Sequence, residues 1–511
     1  MPEIKTYAVD NLTWSDASLW QQFADCHHAQ PDALAVVEGD GRCWTRAELH
    51  RLALAISQTL QEKGVKAHDR VLLEGRKNAQ TVAAALAISS VGAVVCPISP
   101  DLGRAERQIL EERLGHVALI GAAAENAEPL RETQNLHLST RPRPEPSTGD
   151  EAERAVALIG FTSGTTGVPK GVMHASAAMN YAARACGQIA GLAAGDAIVS
   201  MTPWGSAPGF TFSLHFALSQ GYPLIIIDHW EPLQALTMMD QYACRWGMCV
   251  PTHLVAMLEC VRSGAWTKRS PLKALAVGGS NMSPELIADA ERLLGIMALR
   301  MFGMSECMGH ASTRPDDSLE RRQHTDGRPF PGTEDEAFDN EMKMLPRGER
   351  GQAGVRGPSL FLGYFKGLGG EATQLTPDGF YLSGDEIIRG QDGYLKVVGR
   401  LKDQIIRGGY NIDPAEVEAA LLRHPAIAKA AVVAVPHPRL GEQACAICCF
   451  RSSHPPLELT DLIAHVESIG LSKKKWPEHL VVIEDMMYTS TGKIDKKVLR
   501  KKALEMLGLG S

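Results

Sequence analysis

A glycine-rich segment, residues 161–171, carries the residue types that bind phosphate. Its sequence, FTSGTTGVPKG, contains three glycines, four hydroxyl side chains and one lysine, and it follows the apolar run AVALIG. Exposed backbone N–H groups after a strand can surround an anion, and Lys170 adds a positive charge. The segment does not match the Walker A loop, because Pro169 precedes the lysine and Gly171 follows it. It therefore predicts a phosphate loop of another class.

Four later segments place further reactive side chains in a fixed order. They read MFGMSE at 301–306, YLSGD at 381–385, GRLKDQIIRGGYNIDPAEVE at 399–418 and TSTGKIDKKVLR at 489–500. With the phosphate loop, they resemble the ordered motifs of the adenylate-forming superfamily of acyl-CoA synthetases, peptide-synthetase adenylation domains and luciferases. The resemblance implies an enzyme that attacks the α-phosphate of ATP with a carboxylate, releases pyrophosphate and passes the acyl group to a thiol.

The resemblance also implies a role for each matched residue. The expected ATP- and AMP-binding residues are Thr162, Ser163, Gly164, Thr165, Thr166, Gly167, Gly278, Gly279, Phe302, Asp385 and Arg400. The expected catalytic residues are Lys170, Ser305, Glu306 and Lys493. Ser305 would contact the α-phosphate, and Glu306 would bind Mg²⁺, a cation that prefers oxygen ligands. Lys493 would bridge the substrate carboxylate and the α-phosphate.

A domain movement between the two half-reactions is a further implication of the resemblance. Lys402 occupies the position of the hinge about which the C-terminal domain would rotate. In the second orientation Lys493 would leave the site, and Gly408, Gly409 and Tyr410 would line the tunnel for coenzyme A. One hinge residue can absorb a large change in φ and ψ.

The segment expected to select the acid departs from the family pattern. In TPWGSAPGFTF, at 202–212, Ser206 stands where many acyl-CoA synthetases have histidine, and no acidic residue lies between positions 202 and 220. A buried ammonium group without a counter-ion is costly, so an α-amino acid is disfavoured. We predict an apolar pocket for an aryl, alicyclic or medium aliphatic acid. Its expected lining is Trp204, Ser206, Phe210, Met304 and Met308, although the large apolar side chains among them fit a plain core equally well.

Three functions are open at this point. No carrier-protein, condensation or reductase motif follows the last segment, which favours a free-standing ligase that uses coenzyme A. An acyl- or aryl-AMP ligase that loads a separate carrier protein is the alternative. The third is a nucleotide-binding sensor that has lost catalysis, and the presence of Lys170, Glu306, Asp385 and Lys493 together argues against it.

Alternating strand-like and helix-like segments must position these residues. Apolar runs such as DRVLLEG and YPLIIID alternate with amphipathic patterns such as TRAELHRLALAISQTLQEKG, which has a Thr cap and a Glu three positions on. Alternation of this kind is typical of α/β proteins with parallel sheets. We predict a large N-terminal domain, residues 1–400, with parallel-rich β-sheets flanked by helices. A small mobile α+β C-terminal domain, residues 401–511, would carry Lys493.

Composition limits the class of protein. The 511 residues are 44% hydrophobic and 22% charged with a net charge of -7, which disfavours a nucleic-acid-binding protein. The N-terminus does not resemble a signal peptide, and no apolar stretch is a convincing membrane span. The eleven cysteines lack framework spacing, and CAICC at 445–449 is interpreted as a buried strand. We expect a cytoplasmic enzyme with ATP, Mg²⁺ and coenzyme A as cofactors and co-substrates.

Overall fold

The computed structural model describes residues 4–122, 127–133, 136–142, 155–162, 169–279, 282–368, 373, 375–407, 410–451, 454–489 and 492–509. The chain divides into two compact units. The first comprises Met1–Glu334 and Val355–Tyr381, and the second comprises Asp335–Gly354 and Leu382–Ser511. The division into two compact units does not show which residue acts as a hinge. The predicted domain boundary near residue 400 and the predicted mobility of the C-terminal domain therefore stay predictions.

Two large sheets form the framework of the first unit. Sheet A has the spatial order Gly363–Tyr364, Lys170–Ala175, Val156–Thr162, Val94–Ile98, Arg70–Glu74, Ala118–Gly121, His137–Thr140 and Glu128–Pro129. Sheet B has the order Arg328–Pro329, Cys307–Ser312, Ala298–Met304, Ala274–Gly278, Cys244–Cys249, Ala197–Ser200, Leu224–Ile226, Leu34–Val37 and Cys43–Thr45. The central strands of both sheets pair in parallel, which confirms the predicted α/β architecture.

Helices accompany these sheets, and the N-terminal hairpin Thr6–Val9 and Leu12–Ser15 precedes them. The α-helices are Leu19–Ala29, Arg46–Glu62, Ala79–Val91, Arg104–Arg113, Ser176–Ala190, Ala207–Gly209, Phe216–Gln220, Pro232–Gln241, Pro251–Arg262, Pro284–Asp289 and Leu319–His324. Wider π-helical turns occupy Phe210–His215 and Ala290–Leu294, and a 3₁₀ turn occupies Lys366–Leu368. The predicted capping box of Thr45 and Glu48 is confirmed at the start of the second helix.

The second unit is smaller. One sheet, whose terminal residues Glu334, Val355, Arg356 and Tyr381 belong to the first unit, has the order Glu334–Phe338, Arg350–Arg356, Tyr381–Arg389 and Leu395–Arg400. Another has the order Tyr410–Ile412, Ile405–Arg407, Gly441–Phe450 and Ile427–His437, with His479–Val482 beside Gly441–Phe450. Its helices are Pro414–Leu421, Leu459–Ser468 and Lys496–Met506, with 3₁₀ turns at Leu401–Asp403 and Lys473–Lys475. This mixture agrees with the predicted α+β pattern.

The cysteines agree with the interpretation from sequence. All eleven are free thiols. Cys445, Cys448 and Cys449 are buried in the strand Gly441–Phe450, as predicted for the CAICC segment. No described helix combines the length and the hydrophobicity that crossing a membrane requires.

Candidate functional site

The predicted phosphate loop joins two antiparallel neighbours in sheet A. The first strand ends at Thr162 and the second begins at Lys170, and the register pairs these two residues directly. Residues 163–168 connect them and lie outside the described residues, together with the predicted ligands Ser163, Gly164, Thr165, Thr166 and Gly167. The structure therefore brings together the two ends of the loop.

Ser305 and Glu306 form the turn between two adjacent antiparallel strands of sheet B. The Nε2 atom of His174, four residues after Lys170, lies 2.7 Å from the carbonyl oxygen of Ser305. Burial lowers the pKa of His174 to about 4, so the ring is neutral at neutral pH. Nε2 must carry the hydrogen in this bond, because a carbonyl oxygen only accepts. His174 thus ties the turn to the strand that begins at Lys170.

A phenol lies between the lysine and the carboxylate of the predicted site. The Tyr364 hydroxyl donates to Oε1 of Glu306 at 2.7 Å and lies 3.0 Å from the Tyr381 hydroxyl. The Lys170 Nζ lies 5.0 Å from the centre of the Tyr364 ring, within the range of a cation–π contact. Burial and the Glu306 charge raise the pKa of Tyr364, which keeps this phenol protonated and able to donate.

The Glu306 carboxylate fits the role of a Mg²⁺ ligand. Oε1 is held by a phenol, and the second oxygen, Oε2, belongs to the hard ligand type that Mg²⁺ prefers. No group of three or more His, Cys, Asp or Glu side chains in the described part of the chain could hold a metal ion.

Gly278 and Phe302 lie on neighbouring strands of sheet B. A Cβ atom at Gly278 would lie 2.5 Å from the carbonyl oxygen of Met301, so this position needs a glycine. Gly279 follows with a φ of 91°, in the left-handed region that favours glycine. The Phe302 ring stacks on His310, with 4.4 Å between ring centres. The predicted stacking of Phe302 on adenine stays a prediction.

Two predicted ribose-binding residues face each other within the second unit. Asp385 and Arg400 are paired across antiparallel strands, and Arg400 Nε donates to Asp385 Oδ1 at 2.7 Å. The Asp385 side chain is only 6% exposed, whereas the Arg400 side chain is 60% exposed. Arg400 orients the carboxylate, and the remaining lone pairs of Asp385 can accept hydrogen bonds from ribose hydroxyls.

Lys493 ends a tight turn of the second unit. The Thr489 amide donates to the Lys493 carbonyl at 2.7 Å, and the Lys493 amide donates to Thr489 Oγ1 at 3.2 Å. Lys496, at the start of the following helix, places Nζ 2.7 Å from Oε1 of Glu418. Glu418 also accepts a hydrogen bond from the Val432 amide. This ion pair fastens the segment that carries Lys493 to the helix Pro414–Leu421.

The remaining predicted residues of the second unit are only partly described. Lys402 lies in the 3₁₀ turn Leu401–Asp403, and Tyr410 begins the strand Tyr410–Ile412. Their side chains, and all of Gly408 and Gly409, lie outside the described residues. The hinge and tunnel assignments stay predictions.

Two of the predicted acid-selecting residues, Ser206 and Phe210, belong to an irregular helix of the first unit. Ser206 caps it by accepting from the Gly209 amide at 3.2 Å, and Phe210 begins its π-helical turn, a feature frequent at functional sites. Trp204 is fully buried and donates to Ser200 Oγ at 2.9 Å. Trp204, Phe210 and Met308 belong to one hydrophobic core cluster, and Met304 packs against a second, smaller cluster. Their contact with an acid stays a prediction.

Sequence reasoning did not find the contribution of Tyr364 or His174. Tyr364 is 58 positions from Glu306, and His174 is 131 positions from Ser305. Neither residue belongs to one of the motifs quoted above. These side chains reach the site through contacts between the two sheets, which join segments far apart in sequence.

Two family models match this chain. The model of AMP-binding enzymes matches residues 23–365, and the model of the AMP-binding enzyme C-terminal domain matches residues 416–493. The first match contains Thr162, Lys170 and Glu306, and the second contains Glu418 and ends at Lys493.

Individual relatives resemble the chain over nearly its whole length. The medium-chain fatty-acid–CoA ligase of Escherichia coli (strain K12) is 33% identical, over 97% of this chain and 92% of the relative. The salicyl-AMP ligase/salicyl-S-ArCP synthetase of Mycobacterium tuberculosis is 30% identical, over 95% of this chain and 91% of the relative. The crystal structure of ATP-bound MatB from Rhodopseudomonas palustris has the same fold, with a TM-score of 0.81 and 22% identity over 96% of this chain and 100% of MatB.

We expect Gly278→Ala to weaken ATP binding. The new methyl group would press on the Met301 carbonyl, and overpacking of this kind typically costs about 1–3 kcal/mol. Calorimetric titration with ATP and thermal unfolding measure the two effects. Gly103→Ala is the control, because its Cβ would meet only Glu106 Oε2 at 3.7 Å. Unchanged ATP affinity and unchanged unfolding in Gly278→Ala would contradict the assignment.

We expect Glu418→Gln to destabilise the second unit by about 1–3 kcal/mol, because Lys496 loses its charged partner. Denaturant unfolding measures the change. Glu416→Gln is the matched control on the same helix, since Glu416 pairs with Lys475 near the surface and should contribute less than about 1 kcal/mol. Equal effects of the two substitutions would show that the pair does not anchor the Lys493 segment.

Proposed function

Because the chain belongs to the family of AMP-binding enzymes, we propose that it is an ATP-dependent carboxylate–CoA ligase. In the first half-reaction, a carboxylate oxygen of the acid bonds to the α-phosphorus of ATP while the bond to pyrophosphate breaks. In the second, the sulfur of coenzyme A bonds to the acyl carbon while the bond to AMP breaks. The products are acyl-CoA, AMP and pyrophosphate.

The observation that carries this proposal is the contact of Lys170 and Glu306 with the same phenol. A lysine from the phosphate loop and a carboxylate that suits Mg²⁺ must act on one triphosphate, and here Tyr364 holds them together. Positive charge placed beforehand stabilises the negative charge that moves onto pyrophosphate as the bond breaks. Mg²⁺, when bound, would neutralise part of the charge on the phosphate oxygens.

Other residues of the chain would bind and orient the nucleotide. The Ser305 hydroxyl would donate to the α-phosphate from a turn held by His174. The Phe302 ring would stack on adenine, and Asp385 would accept hydrogen bonds from the ribose. Lys493, on its turn, would contact the carboxylate of the acid and the α-phosphate during the first half-reaction, placing the two reacting groups in one geometry.

We propose an aryl, alicyclic or medium aliphatic acid as the substrate. Trp204, Phe210 and Met308 are buried in one hydrophobic core cluster, and Ser206 stands where many acyl-CoA synthetases have histidine. The absence of an acidic residue between positions 202 and 220 of the sequence argues against an amino-acid substrate. The similar proteins named for a medium-chain fatty acid and for salicylate fall within this range.

A carrier protein is the second candidate acceptor, because one similar protein is named as a salicyl-S-ArCP synthetase and another as a CoA ligase. The two acceptors carry the same reactive thiol chemistry. A cytoplasmic location is part of the proposal and is consistent with eleven free cysteines. A nucleotide-binding sensor without catalytic activity is the less favoured hypothesis, because it gives no role to Lys493.

We expect Lys493→Ala to reduce adenylation by at least about a hundredfold, the scale of losing one preorganised transition-state contact. Thioester formation from supplied acyl-AMP should change little, because Lys493 would act only in the first half-reaction. Single-turnover assays measure each step. Lys497→Ala is the control variant, because Lys497 is an exposed lysine four residues after Lys493 and has no proposed role in either step. Equal loss of both steps in Lys493→Ala would contradict the separate roles.

The substrate and the acceptor can be identified in one assay. Pyrophosphate release is measured with ATP, Mg²⁺ and a panel of aryl, alicyclic, fatty and amino acids, with and without coenzyme A. We expect release with an apolar acid and acyl-CoA when coenzyme A is present. Acid-dependent release of pyrophosphate without formation of acyl-CoA would indicate that the acceptor is a carrier protein and not coenzyme A. ATP binding without release of pyrophosphate for any acid would favour the non-catalytic sensor.

A further inference from the structure

We propose that Tyr364 is a positioning residue that holds the Glu306 carboxylate in the orientation that binds Mg²⁺ and links it to Lys170. This inference rests on the proposed function, because it assumes that Glu306 and Lys170 serve one nucleotide. The Tyr364 hydroxyl is the atom that matters. It donates to Oε1 of Glu306 at 2.7 Å, while the ring of the same residue lies under the Lys170 ammonium at 5.0 Å.

The backbone around Tyr364 is fixed on both sides. Toward sheet B, the Phe361 amide donates to the Glu306 carbonyl at 2.8 Å. Toward the strand that begins at Lys170, the Phe365 amide donates to the Gly171 carbonyl at 2.7 Å. The segment 361–365 therefore bridges the Glu306 turn and the phosphate-loop strand through its main chain, and Tyr364 repeats this connection through its side chain.

The direction of the hydrogen bonds follows from the number of hydrogens. Tyr364 has one hydroxyl hydrogen, and an ionised carboxylate only accepts, so that hydrogen goes to Glu306. At 3.0 Å, Tyr381 must then donate its own hydrogen to the Tyr364 oxygen. Hydrogen bonds in such a chain polarise one another, which strengthens the bond that ends on Glu306.

As a consequence, one oxygen of the Glu306 carboxylate, Oε1, is held by a hydrogen bond, and the other, Oε2, is the oxygen that would bind the cation. With Oε1 held, rotation about the terminal bond of Glu306 is restricted, and Oε2 keeps one direction for the cation. Preorganised ligands bind more tightly, because less freedom is lost on binding. A merely structural Tyr364 is the competing account, since its ring also packs beside a small cluster that includes Val172, Phe361 and Tyr381.

The substitution Tyr364→Phe separates the two accounts, because it keeps the ring and its contact with Lys170 and removes only the hydroxyl. The dissociation constant of a non-hydrolysable ATP analogue is measured by calorimetry with and without Mg²⁺, on the full chain. We expect the affinity without Mg²⁺ to stay within about twofold of the wild type. The gain in affinity that Mg²⁺ provides should shrink about tenfold, the scale of one hydrogen bond to a charged group.

Two further variants and a stability measurement complete the test. In Tyr381→Phe, the gain in affinity that Mg²⁺ provides should shrink by a smaller factor than in Tyr364→Phe. Tyr222→Phe removes a half-buried phenol elsewhere in the first unit, and its affinities should match those of the wild type. The thermal unfolding midpoint of each variant is recorded. An unchanged Mg²⁺ gain in Tyr364→Phe would overturn the inference, as would equal loss of affinity with and without Mg²⁺ together with a lower midpoint. A wild-type protein that binds no ATP analogue would overturn the proposed function itself, and the inference with it.

Discussion

The strand Lys170–Ala175 is the part of the first unit on which the rest of the site depends. Its first residue is paired with Thr162, so the two ends of the phosphate loop are held at a fixed separation. His174 from the same strand binds the turn that carries Ser305 and Glu306, and the segment 363–364 pairs along its other edge. The strand therefore fixes the position of Lys170, the residue proposed to contact the phosphates of ATP.

The residues proposed to act on ATP are distributed over both units. Lys170 and Glu306, proposed to bind phosphate and Mg²⁺, belong to the first unit, whereas Asp385 and Lys493, proposed to bind ribose and the acid, belong to the second. Within the second unit, two ion pairs set the geometry: Arg400 orients Asp385, and Lys496 with Glu418 anchors the turn of Lys493. A reaction in two steps benefits from this division, because a group needed for only one step can be carried on a separate body.

Local patterns made the α/β fold and the strand before the glycine-rich segment predictable, whereas the long-range contacts around the candidate residues could not be predicted from them. The apolar run before Thr162 indicated a strand, the Thr45 cap indicated a helix start, and both are present because they depend on neighbours in sequence. The contact of Tyr364 with Glu306 depends instead on how a strand of sheet A and a turn of sheet B approach each other in the folded chain. The ion pair of Glu418 is of the same kind: its residue type was visible in the motif, but its partner was not.

The central claim is that a carboxylate attacks the α-phosphorus of ATP, and the fate of a carboxylate oxygen tests it most directly. An acid that supports turnover is prepared with heavy oxygen in its carboxylate and converted with ATP, Mg²⁺ and coenzyme A, and the products are analysed by mass spectrometry. The account predicts one heavy oxygen in the phosphate of AMP and none in pyrophosphate, because the bridging oxygen leaves with AMP when the thiol attacks. Heavy oxygen in pyrophosphate, or in inorganic phosphate released with ADP, would place the attack on another phosphorus and contradict the account.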